Sequence, residues 1–198
     1  MKTSVLVFLI LICSANVNLT AQEQSQVATW KYPISVAASA DAIYVADRQL
    51  PGIWLVKDGK AEVYFQADKK IGSVLNAVRC LAFDQSGHLV VGDSATRDVY
   101  RFDEQRVPHA LTGGKIGIPM GIAVGKDGTL FVSDLELKQI VRIRVDSKNI
   151  EVVAAVAAPT GLALAANGDV LVVCRAKDPV RRVTAAGEVS VVVSGTPF

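Results

Sequence analysis

The chain has 198 residues, 51% hydrophobic and 20% charged, with a formal charge of +2. That is a globular balance, long enough for one domain with a substantial core, and its near-neutral charge argues against nucleic acid or an anionic membrane as partner. Three cysteines, Cys13, Cys80 and Cys174, are too few and too far apart for a disulfide framework. Cys80 and Cys174 read as two separately buried thiols.

The first element is not part of the domain. Lys2 precedes the apolar run SVLVFLILIC, which is too short to span a bilayer comfortably, and Ala21 stands before the polar QEQSQ. This is the form of a secretory signal peptide over residues 1–21, and it predicts a secreted or periplasmic protein cleaved near Ala21. An uncleaved anchor is one alternative. A lipid-modified Cys13 is another, but Ile12 stands where a lipoprotein signal normally has Gly, Ala or Ser. Cleavage removes Lys2, lowers the formal charge to +1 and leaves no membrane span. Residues 22–32 read as a linker.

From Pro33 the chain repeats itself. PMGIAVGKDGTLFVSD begins at Pro119 and PTGLALAANGDVLVVC at Pro159, with Pro, Gly, an apolar run, a polar turn and a second apolar run in register. VRCLAFDQSGHLVVGD from Val78 is a weaker copy, as is the segment that carries Pro33. The repeats fall at about 33–77, 78–118, 119–158 and 159–198. A turn-rich insertion, ADKKIGSVLNA (67–77), lengthens the first. Internal repetition at this period marks an array of equivalent supersecondary units.

Each unit predicts four short strands. In chain order the first gives AIYVAD, GIWLVK and AEVYFQ after its Pro33 strand. The second gives HLVVGD, DVYRFD and VPHAL after a strand near 80–84. The third gives GIAV (121–124), TLFVSD (129–134), QIVRIRV (139–145) and IEVVAAV (150–156). The fourth gives GLALA, DVLVV, PVRRVT and EVSVVV. Polar turn formers such as GKDG, DSKN and ANG separate them. IVRIRV and DVYRF alternate as half-buried strands do, and no sustained helical period occurs after residue 22. The fold class is therefore all-β, and four strands per repeat of 40–45 residues is the β-propeller pattern.

Pro-x-Gly-Ile/Leu-Ala, Asp/Asn-Gly, Leu-Phe-Val-Ser-Asp and Gln-Ile-Val-Arg-Ile together resemble the NHL repeat, best in the third copy and least in the first two. The resemblance implies a propeller, usually six-bladed, that binds at one end of its ring. Four blades are present, and the sequence stops just after the fourth strand of the fourth. The expectation is a truncated or partial propeller that self-associates through uncovered blade faces. A true four-blade ring and a ring completed by a second copy are the alternatives.

The related gluconolactonase and senescence-marker-protein propellers are enzymes. The resemblance places some of their cation ligands at the middle residue of the Pro-Asn-Gly or Pro-Asp-Gly strand start. Here those positions hold Ile34, Arg79, Met120 and Thr160. No Asn or Asp is among them, so neither a metal site nor a cofactor is expected. Asp47, Asp93 and Asp134 recur at the end of the second strand, with Cys174 in the fourth copy. They read as turn-capping carboxylates, with a metal-binding ring as the functional alternative. His88 and His109 lie in no metal-ligand spacing, and His88 reads as an exposed turn residue. No serine stands in a nucleophile elbow, so no catalytic residue is assigned.

The reading is an exported binding or scaffold module for an unidentified protein or small molecule. A lactonase- or lyase-like hydrolase and the sensor domain of a larger receptor are the alternatives. The candidate ligand-binding residues at the axial mouth are Arg48, Arg79, Met120 and Thr160, with Arg79 suited to a carboxylate or phosphate unless a neighbouring Asp pairs with it.

Overall fold

A computed structural model describes residues 30–196. The expected signal peptide and most of the linker lie outside the described residues. Sixteen strands form four sheets, each of four consecutive antiparallel strands. The first holds β1 (Pro33–Ala38), β2 (Ile43–Asp47), β3 (Gly52–Lys57) and β4 (Lys60–Gln66). The second holds β5 (Val78–Phe83), β6 (Leu89–Asp93), β7 (Asp98–Phe102) and β8 (Pro108–Ala110). The third holds β9 (Pro119–Val124), β10 (Leu130–Asp134), β11 (Gln139–Arg144) and β12 (Asn149–Ala155). The fourth holds β13 (Pro159–Leu164), β14 (Val170–Cys174), β15 (Val180–Val183) and β16 (Val189–Val193). No helix occurs among the described residues.

The strands follow from period-2 alternation and turn chemistry. Gly87, Gly128 and Gly168 close the turns between first and second strands at φ of 80°, 80° and 88°, a backbone that favours glycine. Each first strand packs against the first strand of the next sheet, β1 on β5, β5 on β9 and β9 on β13. The first strands are thus innermost and the fourth strands peripheral.

Alternation along the second strand sends successive side chains to opposite sheet faces, so each sheet contributes to two interfaces. Ala46 and Ile53 of the first sheet meet Leu89, Val91 and Phe102 of the second. Val90 and Val99 meet Leu130, Val132 and Ile143 of the third. Ile140 and Phe131 meet Val170, Val172 and Val183 of the fourth. The core is therefore three slabs between four sheets. At the ends of the stack the same positions lie open: Ile43 on the first sheet, and Val173 on the fourth at 51% exposure.

Small residues set how closely neighbouring sheets approach. A Cβ on Gly121 would lie 2.7 Å from the Thr160 carbonyl and 3.1 Å from the Leu162 nitrogen of the next sheet. The repeat pattern predicts the same crowding at Gly161, and the structure corrects this, since no atom lies within 4 Å of a Cβ built there. Gly121 faces the backbone of β13, whereas Gly161 belongs to the last sheet. Cys80 and Cys174 are both free and buried, as the sequence predicts.

Candidate functional site at the bulged strand ends

Every first strand is irregular at the same place. In β1 the pairing steps from Pro33↔Asp47 to Ser35↔Ala46, which leaves Ile34 unpaired. In β5 it steps from Val78↔Asp93 to Cys80↔Gly92, leaving Arg79. In β9 it steps from Pro119↔Asp134 to Gly121↔Ser133, leaving Met120. In β13 it steps from Pro159↔Cys174 to Leu162↔Val172, so Thr160 and Gly161 oppose Val173 alone. A β-bulge inserts an extra residue, breaks the alternation and re-aims a side chain, often at a rim or beside a site. The predicted positions Ile34, Arg79, Met120 and Thr160 are the bulged residues or part of the bulge. They stand at one end of four innermost strands that lie side by side.

The recurring aspartates build the frame of that end. Asp47 accepts the backbone N–H groups of Lys31 at 2.9 Å, Tyr32 at 3.1 Å and Gln49 at 2.8 Å. Asp93 accepts those of Leu75, Ala77, Ala95 and Thr96, plus the Thr96 hydroxyl at 2.7 Å. Asp134 accepts those of Gly117, Ile118 and Leu137. The carboxylates do cap their own turns, as the sequence predicts. They also clamp the linker entering their own sheet, which spacing alone does not reveal. Burial works to raise the Asp47 carboxyl, but the amides of Lys31, Gln49, Tyr32 and Leu50 outweigh it and hold it below the usual carboxylate range. Cys174 cannot accept in this way, and in its sheet the linker residue Ala158 takes φ of 47°.

Arg79 is half-buried, and its Nε donates to the Ser94 hydroxyl at 2.8 Å. Ser94 in turn donates to the Ala77 carbonyl at 3.2 Å. Among the described residues no carboxylate lies within ion-pair distance of Arg79, so an aspartate does not take up its charge. Arg48 is exposed, with its guanidinium 5.9 Å from the centre of the Tyr32 ring. The Thr160 hydroxyl donates to the Val173 carbonyl at 2.9 Å. The insertion 67–77 leads into β5 and is tied to Asp93 through the Leu75 and Ala77 amides. Leu75 anchors it in the first core slab, and Ile71 stands fully in solvent at its tip.

The opposite end carries a polar cleft of about 450 Å³ between the second and third sheets, lined by Asp84, Arg101, Asp127 and Arg144 among others. Sequence reasoning misses this end. Arg101 Nε donates to Asp84 at 2.6 Å, and its Nη2 lies 2.8 Å from His88 Nδ1. Burial alone would raise the Asp84 carboxyl, but the His88 amide and the Arg101 guanidinium hold it down. His88 is therefore a half-buried member of an ion cluster and not the freely exposed turn residue expected. The missed signal is the Asp84–His88 spacing across one tight turn. Among the described residues no group of three or more His, Cys, Asp or Glu side chains converges as a metal site.

No protein-family model matches the sequence, and no curated protein matches it significantly. Solved structures do. A catalytically inactive variant of virginiamycin B lyase from Staphylococcus aureus, with Quinupristin, is 18% identical, with a TM-score of 0.70 over 85% of this chain and 58% of that one. A candidate gluconolactonase is 17% identical, with a TM-score of 0.63 over 79% of this chain and 61% of that one. A chain of a nidogen/laminin complex is 18% identical, with a TM-score of 0.72 over 85% of this chain and 67% of that one. This chain spans 58% of the lyase's length. At such identities the likeness carries the fold alone, and that fold is the β-propeller.

Proposed function

We propose that this chain is an exported propeller of NHL type that binds a protein or small molecule at the ring end where its first strands bulge. The observation that carries the reading is the bulge itself, repeated in all four sheets at Ile34, Arg79, Met120 and Thr160. A bulge in every first strand sets an unlike side chain at the same end, while in three of the four sheets a clamping aspartate holds the surrounding frame. Constant frame with variable residues is the arrangement of a recognition surface. Export is part of the proposal and rests on residues 1–21.

The lyase and the candidate gluconolactonase among the structural neighbours make a hydrolase or lyase the competing reading. Against it stand the four strand-start residues, none of which is Asn or Asp. Sugar-lactone turnover above a metal-stripped control would move the assignment to that alternative.

The test is capture. The full chain is immobilised, exposed to concentrated culture medium and extracellular extract, and washed, and what it holds is identified by mass spectrometry. M120E and T160E, each checked for an unchanged melting temperature, are expected to lose the captured species. A captured species retained by both variants sinks the assignment of this end.

A further inference from the structure

We propose that this end of the ring takes an oxyanion, a carboxylate or a phosphate, on Arg79, with Arg48 of the neighbouring sheet and the more distant Arg175 of the fourth sheet adding positive charge. This rests on the binding end assigned above and adds the chemical class of the ligand.

Four backbone hydrogen bonds establish an equivalence between the sheets. Arg48 N donates to Tyr32 O at 2.9 Å, Ser94 N to Ala77 O at 3.0 Å, Leu135 N to Ile118 O at 2.9 Å and Arg175 N to Ala158 O at 2.9 Å. One residue of each turn between second and third strands therefore sits over the linker, next to the bulged residue of its own sheet. Around the mouth the pairs read Ile34 with Arg48, Arg79 with Ser94, Met120 with Leu135, and Thr160 with Arg175. Three of the four sheets thus carry an arginine at this end, Arg48, Arg79 and Arg175, and the third carries an apolar pair.

These guanidiniums differ from most others in the molecule. Arg97, Arg101, Arg106, Arg142 and Arg182 each lie within ion-pair distance of a carboxylate. Among the described residues Arg48, Arg79 and Arg175 have no such partner. Nor do Arg144, which lines the cleft at the opposite end, and Arg181, whose Nη2 instead donates to the Lys177 carbonyl at 3.2 Å in the turn between β14 and β15. The mouth's own carboxylates face elsewhere. Asp47, Asp93 and Asp134 turn to linker and turn amides, Glu136 pairs with Arg97 at 3.0 Å, and Asp178, in the turn that carries Arg175, accepts the Gly195 N–H at 3.2 Å. Arg79 is also held in orientation, since Ser94 takes its Nε while neither Nη has an acceptor among the described residues. A planar fork with one corner fixed and the other donors uncommitted suits two oxygens of one anion, and orientation in advance lowers the entropy cost of binding. Met120 and Leu135 then supply an apolar wall for the remainder of the ligand.

The experiment is an NMR titration of the ¹⁵N-labelled full chain with inorganic phosphate, with acetate, and with chloride at matched ionic strength. Phosphate or acetate is expected to shift the Arg79 Nε–Hε signal and the Ser94 amide saturably, and chloride is not. R79Q should weaken the binding at least about tenfold, R48Q and R175Q about two- to fivefold each, and R79K should fall between R79Q and the wild type. R142Q should leave it unchanged. Saturation by phosphate alone or acetate alone names the source of the oxyanion. Equal shifts with chloride, or an R79Q affinity equal to wild type, overturn the oxyanion proposal. If M120E still abolishes capture from medium in that case, the binding end stands and only the ligand class is wrong. If neither M120E nor R79Q matters, both fall.

Discussion

Among the described residues Asp93 is the most heavily used carboxylate, and removing it should unlock the mouth. It is fully buried and takes five donors, the N–H groups of Leu75, Ala77, Ala95 and Thr96 and the Thr96 hydroxyl. In D93A the turn amides of Ala95 and Thr96 are close enough to the surface to find water. The linker amides of Leu75 and Ala77 are the ones stranded, and a buried donor left unmade costs about 1–3 kcal/mol. The expected loss is therefore about 4 kcal/mol, or roughly 8–16 °C in melting temperature for a chain of this size. D93N keeps one accepting oxygen but points an NH₂ at donors, so it should fall between D93A and the wild type. Urea denaturation followed by tryptophan fluorescence, with calorimetry as a second probe, measures both. An exposed control, D41A, breaks only solvent-exposed contacts, the Asp41–Lys57 pair and the bond from the Ser39 hydroxyl, and should leave the melting temperature unchanged. A D93A loss below about 1 kcal/mol would refute the clamp, because it would mean that the linker amides rest on water and not on the carboxylate.

Asp47 is held below the usual carboxylate range by linker and turn amides despite its burial, so its contribution to stability is present above about pH 3.9 and lost as pH falls through the lower folded value. Acid melts should show D47N with a shallower loss below pH 4 than the wild type, and equal slopes would contradict this. The Cys80 thiol is pushed up to about 12 by burial and should not react with a disulfide reagent at pH 8 until the chain unfolds; rapid labelling of native protein would count against the packing. G121A should cost about 1–3 kcal/mol, because its methyl meets the backbone of β13, while G161A should be close to neutral; the reverse order would overturn the contact geometry. The open outer faces, with Val36 63% and Val173 51% exposed, should make the chain associate in solution, and V36E and V173E should reduce the scattering. A dilution-resistant wild-type monomer would end that proposal.

The repeats, the fold class and most strand positions were legible in the sequence because alternation and turn chemistry are local. LFVSD at 130–134 and DVYRF at 98–102 are strands wherever they are placed, and the glycines after Ser86 and Asp127 turn the chain whatever surrounds them. The special character of the second residue in each first strand was also legible, since Ile34, Arg79, Met120 and Thr160 follow the same register mark.

The tertiary structure decided what those residues do. The bulges arise only when first and second strands pair, and no single strand records its partner's register. Asp47, Asp93 and Asp134 reach amides 15 to 18 residues away, a distance at which spacing says nothing about direction. Gly121 and Gly161 occupy the same place in the repeat, yet one faces a neighbouring backbone and the other open space. His88 looked like a solvated turn residue until Arg101, on the strand paired with β6, closed on it. A repeated sequence specifies the unit. What stands beside each copy is a property of the assembled stack, because burial, ion pairing and close approach depend on the neighbour and not on the copy.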